Sequence, residues 1–428
     1  MRARVRLLLT AALAAWCVGI LGAEDWPQWR GPYLNGLSGE TSLPIRWTTT
    51  DTVAWRLALP EWSGSTPIVW KDRIFLNVAD GRRLELWSID RNTGRLIWKR
   101  HLSDGNHREQ KQNMSSPSPV TSGERVYVMT GTGVLTAFDF EGHKLWRRDI
   151  QRDYGRFGLY WGYASSPLLY GDALFVQVLH GMKTNDPSYV MRIDGLTGET
   201  VWRVERPTDA IRESPDAYTT PALLRVDRRT EIVITGGDVV TGHDPGTGRE
   251  LWRVAGLNPR RNGSYRIVAS PVVLDNMIYA PTRVRPLLAL RVDGSTPGAT
   301  PEIVWSTENG PDVPTPVTDG RYLYVVNDRG IVWVFDAKTG EEVYGRRRIK
   351  VGTYSASPVL ADGQIYITNE SCQTTVFRTG PTFEILSENA LEDHCLSSPA
   401  VSDGQIFIRT SRYLYAIGER RGLRSDDT

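Results

Sequence analysis

Cysteine is scarce: the 428 residues contain three, at positions 17, 372 and 395. That scarcity excludes a disulfide-dense scaffold, and neither a Cys-x-x-Cys-His haem site nor a His/Cys cluster at zinc spacing occurs. Charge of one sign is also lacking. With 51 Lys+Arg against 49 Asp+Glu the formal net charge is +2, which argues against a nucleic-acid or anionic-membrane binder working by bulk electrostatics. The basic residues are mostly Arg (44, against 7 Lys) and scattered. Their one run, Arg346-Arg347-Arg348, has no interleaved aromatics and reads as a solvated edge. Beyond residue 22 there is no apolar run long enough to span a membrane, and no stretch sustains a helical period. Catalytic signatures are missing too: no Gly-x-Ser-x-Gly elbow, no His-Glu-x-x-His, no P-loop and no Gly-x-Gly-x-x-Gly behind a strand.

What is present begins with an address. Arg2, Arg4 and Arg6 precede an apolar run from Leu7 to Gly22, and Ala23 offers a small residue before Glu24-Asp25. Residues 1–23 therefore read as a secretory signal peptide, the run being short for a spanning helix of roughly 20 residues. An uncleaved anchor is the alternative. Lipidation at Cys17 is the weaker reading, because bulky Trp16 precedes it. The expected location is periplasmic or extracellular. Removal of the signal leaves Cys372 and Cys395, an even number in an oxidising compartment, so a disulfide is expected. Two free buried thiols are the other reading, since spacing alone does not fix geometry.

Internal repetition organises the rest. A polar residue followed by proline recurs at Pro67, Pro119, Pro167, Pro221, Pro271, Pro316, Pro358 and Pro399. In seven of the eight units an apolar–aromatic pair lies seven positions on, from Ile74-Phe75 to Ile406-Phe407. After Pro221 the insertion Val226-Asp227-Arg228-Arg229 delays that strand to Ile232-Val233-Ile234. Turns such as Asp319-Gly320-Arg321 and Asp362-Gly363-Gln364 separate the two strands as tight hairpins. Four units then carry an Asp-x-x-Thr-Gly turn: DRNTGRLIW from Asp90, DGLTGETVW from Asp194 and DPGTGRELW from Asp244 end in tryptophan, and the one from Asp336 has Tyr344 in that place. Trp146 sits one residue closer to Asp139, and Trp305 follows an insertion behind Asp293. Each unit is thus four short antiparallel strands. Sheets repeated at that period bury their faces by stacking radially, which predicts a propeller.

The last unit supplies three strands and stops near Ile417. The missing strand lies at the other end, where Val53-Ala54-Trp55-Arg56-Leu57 matches Leu251-Trp252-Arg253-Val254. The expected fold is all-β: an eight-bladed β-propeller of four-stranded antiparallel blades, the last closed by an N-terminal strand. One domain covers 24–420, with 24–52 as an N-terminal extension, 53–57 as the closing strand and 421–428 as a flexible tail. Trp55, Trp98, Trp146, Trp202, Trp252 and Trp305 hold equivalent outer-strand positions and are expected to dock between neighbouring blades. The seventh unit has lost the template, reading Arg378-Thr379-Gly380-Pro381.

Units ending in Asp-x-x-Thr-Gly-x-x-x-Trp resemble the PQQ-like repeats of quinoprotein alcohol dehydrogenases and of the lipoprotein scaffold of outer-membrane β-barrel assembly. The segment Asp25-Trp26-Pro27-Gln28-Trp29-Arg30-Gly31-Pro32, and the closing stretch from Ser398 to Arg409, are similar to those of secreted bacterial PQQ-like repeat proteins. The resemblance covers the mature chain and is specific for fold, much less for activity. The enzymes' adjacent Cys-Cys disulfide is absent, since the two mature cysteines lie 23 positions apart. Their Glu, Asn and Asp calcium ligands have no matching motif here, and Asn369-Glu370 are the first positions to examine. No metal site is assigned, and PQQ with calcium is an open cofactor question.

In a propeller the loops into each first strand, and those between second and third strands, crowd one face around a central funnel. Tyr160, Trp161, Tyr265, Arg266, Asp312, Tyr354, Asn369, Glu370 and His394 are the funnel candidates, with Cys372 and Cys395 on the same face. The expected function is an exported, monomeric scaffold that docks a protein or glycan partner. The alternative is a PQQ-dependent oxidoreductase acting on an alcohol or sugar.

Overall fold

The computed structural model describes residues 24–296 and 298–420. The expected signal peptide with Cys17, and the expected tail over 421–428, lie outside the described residues. Eight four-stranded antiparallel sheets follow one another around a ring. Blade 1 runs from Ile68–Trp70 to Leu96–Asp104, blade 2 from Val120–Thr121 to Lys144–Asp149, and blade 3 from Leu168–Tyr170 to Thr200–Glu205. Blade 4 runs from Ala222–Val226 to Glu250–Ala255, blade 5 from Val272–Leu274 to Glu302–Thr307, and blade 6 from Val317–Thr318 to Glu342–Arg348. Blade 7 runs from Val359–Ala361 to Ile385–Ala390. Blade 8 joins Ala400–Ser402, Gln405–Arg409 and Tyr413–Ile417 to the N-terminal strand Val53–Ala58. That strand pairs antiparallel with the chain's last strand, Trp55 opposite Ala416 and Leu57 opposite Leu414, so the ring closes as the repeat count requires. Among the described residues there is one short helix, Ile150–Tyr154. None is long and apolar enough to cross a membrane.

The middle strands of a blade have both faces covered by the neighbouring blades. Residues 74–79 and 84–89 of blade 1 are accordingly buried without alternation. Outermost strands meet solvent and are mixed, as in Thr200–Glu205. The Asp-x-x-Thr-Gly turn makes the outer hairpin of blades 1, 3, 4 and 6, and blade 2 keeps its aspartate and glycine as Asp139 and Gly142. Asp90 Oδ1 accepts from the amides of Asn92 (3.0 Å) and Thr93 (2.8 Å) and from the Thr93 hydroxyl (2.8 Å), and Gly94 takes φ +72°.

The same turn locks one blade to the next. The indole N–H of Trp55 in blade 8 donates to Arg91 O in blade 1 at 2.7 Å. Trp98 donates to Phe140 O at 2.8 Å, Trp146 to Gly195 O at 2.8 Å, Trp202 to Pro245 O at 3.1 Å and Trp305 to Ala337 O at 3.1 Å. Each acceptor is the residue after the turn's aspartate. The turn's glycine lies on the indole face: a Cβ on Gly94, Gly198, Gly248 or Gly340 would sit 2.5–2.6 Å from the ring of Trp55, Trp146, Trp202 or Trp305.

Trp252 corrects the expectation of six equivalent docks. Its N–H bonds Glu231 Oε2 of its own blade at 2.6 Å, and its ring lies over Gly242, where a Cβ would come within 2.1 Å. The cause is the next blade, whose outer turn carries the insertion behind Asp293. Gly298 there has no indole beside it, the nearest heavy atom being Leu251 O at 3.7 Å. Into blade 7 the lock is replaced by aromatic contact, Tyr344 with Phe383 at 5.9 Å.

At the inner end of each blade, the residue before every repeat proline is Ser or Thr, and these hydroxyls form a second ring. The amide of Thr66 donates to Ser118 Oγ, Ser118 to Ser166, Ser166 to Thr220 and Thr220 to Ser270. Ser270 then donates to Thr315, Thr315 to Ser357 and Ser357 to Ser398, all seven bonds spanning 2.9–3.2 Å. Proline has no amide hydrogen, so this preceding N–H is the last donor before each inner strand. In seven of the eight blades the neighbouring hydroxyl satisfies it, the series running from Thr66 to Ser398.

Innermost strands present free edges to the axis, and residues 24–40 cover them. Trp26 exchanges two 2.9 Å backbone bonds with Val69 of blade 1, and Pro27 O accepts from Thr121 N of blade 2 at 2.9 Å. Gln28 brackets Leu169 of blade 3 at 3.1 and 3.3 Å. The Arg30 guanidinium donates to Pro316 O (3.0 Å) and Pro358 O (2.5 Å), before blades 6 and 7. Asn35 donates to Val273 O of blade 5 at 3.2 Å, and Ser38 N to Leu360 O of blade 7 at 2.9 Å. Glu40 accepts from the amides of Asp403 and Gly404 in blade 8 at 2.7 and 2.8 Å. The extension is an axial plug. Arg30 is fully buried in it, and burial pulls its pKa down to about 9.

Candidate functional site

Above the plug the axis opens into a cavity of about 340 Å³, at the small end of the ~300–1,000 Å³ of ligand pockets. The repeat builds its wall. Most positions one residue before the repeat prolines give hydroxyls, among them Ser118, Ser166, Thr220 and Ser357. Positions three before them give a mostly small or apolar tier: Gly64, Ala164, Val268, Val313 and Leu396, with Ser116, Ser355 and Tyr218 as the polar members. The floor is Trp29. Its neighbour Gln28 is fixed to blade 3 and Arg30 to blades 6 and 7, so the chain crosses the axis at this residue.

A two-stranded hairpin, Arg108–Glu109 with Gln112–Asn113, reaches over the mouth. Its base is held by Asn113 Nδ2 to Trp62 O at 2.7 Å and by Arg108 stacked 4.8 Å from the Trp62 ring. Gln112 bonds the carbonyl of Trp161 and that of Gly162. Its tip is held by Lys111, whose Nζ meets Glu370 Oε1 of blade 7 at 2.7 Å. Ser355 Oγ donates to the same carboxylate oxygen at 2.6 Å. Beside this anchor Cys372 and Cys395 form a disulfide, and Cys395 N donates to Glu370 O at 3.1 Å. The bridge closes a loop of 23 positions. Replacing both cysteines by serine is therefore expected to cost about 3 kcal/mol in urea denaturation. An unchanged midpoint would show that the covalent link carries no stability.

The opposite rim is an ion network. Arg266 lies 3.5 Å from Glu213 and 3.4 Å from Asp312, and Arg283 lies 3.6 Å from Asp312. Trp161 Nε1 donates to Glu213 at 2.8 Å. Asp216, fully buried below, ties three loops: it accepts from Tyr160 N (2.7 Å), Gly181 N (2.9 Å) and Met182 N (3.0 Å). Burial raises its pKa to about 6 against the lowering effect of those amides. The folded value lies above the usual 3.8, so the group's stabilising contribution is full below about pH 4 and is lost as pH rises through 6. Asp216→Asn is expected to remove a pH 4-to-7 stability difference of up to about 3 kcal/mol. Parallel denaturation series at the two pH values would show it, and identical slopes for both proteins would refute it.

Of the nine funnel candidates, Trp161 and Arg266 line the cavity. Asp312 and Glu370 hold lining residues in place, and Tyr160 stands exposed on the rim, edge-on to Trp161 at 4.6 Å. Tyr265 is half-buried, and His394 is exposed at the blade 8 rim; neither reaches the cavity. Tyr354 and Asn369 need correction, for both are fully buried. Tyr354 packs in the core shared by blades 6 and 7 and donates to Lys350 O at 2.6 Å. Asn369 caps its own turn, accepting from Ser371 N and Gln373 N at 3.0 Å. Trp29, Gln112 and Tyr218 were missed. Trp29 lay in plain view in the Asp25–Pro32 motif, and the polar-Pro repeat itself was the signal for the hydroxyl ring.

The donor set does not suit calcium-bound PQQ. Asn369 is consumed by its turn and Glu370 by Lys111 and Ser355, and the described residues hold no cluster of three or more His, Cys, Asp or Glu arranged for a metal. A quinone tricarboxylate would need free cations, whereas Lys111 and Arg266 already face carboxylates.

Sequence comparison gives a matching family. The model of the family described as outer membrane protein assembly factor BamB matches residues 44–159 and 88–346. The outer membrane protein assembly factor BamB of Burkholderia pseudomallei (strain K96243) is 31% identical over 96 residues, 22% of this chain and 24% of that protein. The aligned stretch thus spans about a quarter of that relative. Among solved structures, BamB from Moraxella catarrhalis superposes with a TM-score of 0.62 at 16% identity, over 87% of this chain and 98% of that one. A europium-containing methanol dehydrogenase superposes with a TM-score of 0.68 at 12% identity, over 91% and 90%. At such identities the structures establish the fold. The sequence match spans well over half of the chain, which therefore belongs to the outer membrane protein assembly factor BamB family.

Proposed function

We propose that the chain is an exported docking scaffold for a protein partner in outer-membrane protein assembly. The observation that carries this reading is an apolar group left outside on one rigid loop cluster. Tyr160, Met182 and Ile211 are each about 40% exposed. The first two flank the Asp216 carboxylate, and the loops meet again through Glu213 N to Gly263 O at 2.9 Å. Exposed apolar side chains on a pre-ordered surface suit association, because little chain entropy is lost on docking. Family membership supports the class of partner, and the leader-like residues 1–23 support export.

The test is a triple Tyr160→Ser, Met182→Ser, Ile211→Ser variant in the producing bacterium. Outer-membrane β-barrel proteins are expected to fall in the membrane fraction while the purified variant keeps its melting temperature. Unchanged barrel levels with a folded variant would end the reading.

A further inference from the structure

We propose that the funnel is a binding site for a neutral, polyhydroxylated ligand of mono- or disaccharide size, with Trp29 as its stacking platform. Four features of the cavity converge on that chemistry, and the inference does not depend on the docking reading.

The first is the hydroxyl ring. Each ring hydroxyl that accepts a neighbour's amide keeps its own O–H to give. Among the described residues none of the seven acceptors donates to another protein group. A ligand rich in oxygen acceptors would meet donors arrayed around it. Second, Arg266 lines the cavity, and its Nη1 is buried without a hydrogen-bond partner. That nitrogen is closed off from the cavity, so it marks unspent donor capacity in the guanidinium at the wall, which a shift of the Arg266 side chain toward a ligand oxygen would use.

Charge is the third. Lys111 is balanced by Glu370, and Arg266 with Arg283 by Glu213 and Asp312. Glu109 adds a carboxylate to the lining. Among the described residues the cavity lining offers no uncompensated cation, so anionic ligands are disfavoured. The fourth is the aromatic floor set against the small, apolar tier of Ala164, Val268, Val313 and Leu396. A pyranose ring has an apolar C–H face for an indole and a hydroxylated edge for the wall. The volume of about 340 Å³ bounds its size.

Calorimetric titration of the purified protein with D-glucose, N-acetyl-D-glucosamine and maltose is the experiment, with citrate as an anionic control. Saturable one-to-one binding of at least one sugar is expected, weakened about ten-fold or more by Trp29→Ala. Val313→Trp, which fills the cavity from the wall and leaves the plug intact, is expected to abolish it. Should Trp29→Ala fail to fold, that second variant and the shift of the Trp29 indole NMR signal in the unsubstituted protein carry the test. No saturable binding of any of the three up to roughly 50 mM overturns the proposal. So does tighter binding of citrate than of the sugars, or sugar binding indifferent to Val313→Trp.

Discussion

A chain lacking residues 24–57 is expected to lose cooperative folding altogether, while one lacking only 24–52 still folds and melts at a lower temperature. The longer deletion removes the outer strand of blade 8, so the Tyr413–Ile417 strand loses its partner. It also removes Trp55, and with it the contact that locks blade 8 to blade 1 through Arg91 O. Loss of a buried Trp alone costs about 3–5 kcal/mol, and a whole domain retains only about 5–15 kcal/mol. The exposed edge left behind is a template for aggregation. The shorter deletion keeps the closing strand. It uncovers the inner edges that Trp26, Gln28, Arg30, Asn35 and Glu40 occupy and strips Leu43 and Trp47 from the core beside blades 7 and 8, so its deficit is that of the whole extension while the ring stays closed. Gel filtration and thermal melting of both proteins distinguish these outcomes. A monomeric, cooperative 24–57 deletion would show that the ring does not need its N-terminal strand.

The second large effect is a contrast between two glycines. Gly94 and Gly298 hold nearly the same left-handed conformation, φ +72° and +74°, so alanine at either carries the same backbone penalty of about 1–2 kcal/mol. Their surroundings differ. At Gly94 a Cβ would stand 2.5 Å from Trp55 Cε3, whereas at Gly298 the nearest atom is 3.7 Å away. Gly94→Ala must push the indole off the blade 1 turn and stretch its bond to Arg91 O. It is expected to destabilise the protein by about 1–3 kcal/mol more than Gly298→Ala. Urea denaturation of the pair reads the difference directly. Equal losses would mean that the glycine–indole contact carries no weight in joining the blades.

That contrast also marks how far the sequence could be read. The repeated turn is local chemistry: Asp, Thr and Gly within five residues close it wherever they occur, and the eight polar-Pro starts gave the blade number and strand order. Ring closure was legible as well, because Val53–Leu57 carries the pattern the last unit lacks. Trp252 was not. Its direction depends on whether the following blade offers a turn to receive it, and the insertion behind Asp293 withdraws that turn. Tyr354 and Asn369 were misplaced for a related reason. Both stand in segments that reach the funnel face, but one packs beneath its loop and the other caps its turn.

The cavity shows the division most clearly. A polar residue before each repeat proline was visible as a period, yet a period does not say that seven hydroxyls link amide to amide around an axis. Nor could spacing place Lys111 on Glu370, 259 residues away, or set Trp29 as the floor. By itself the sequence determined the all-β class, the eight blades, the shared turn and the closing strand, since each rests on interactions among near neighbours or on a repeat that must stack. Only the tertiary structure decided which side chains face the axis, which indoles reach a neighbouring blade and what plugs the channel. Those contacts join segments hundreds of residues apart, and closing the ring is what brings them within reach of one another.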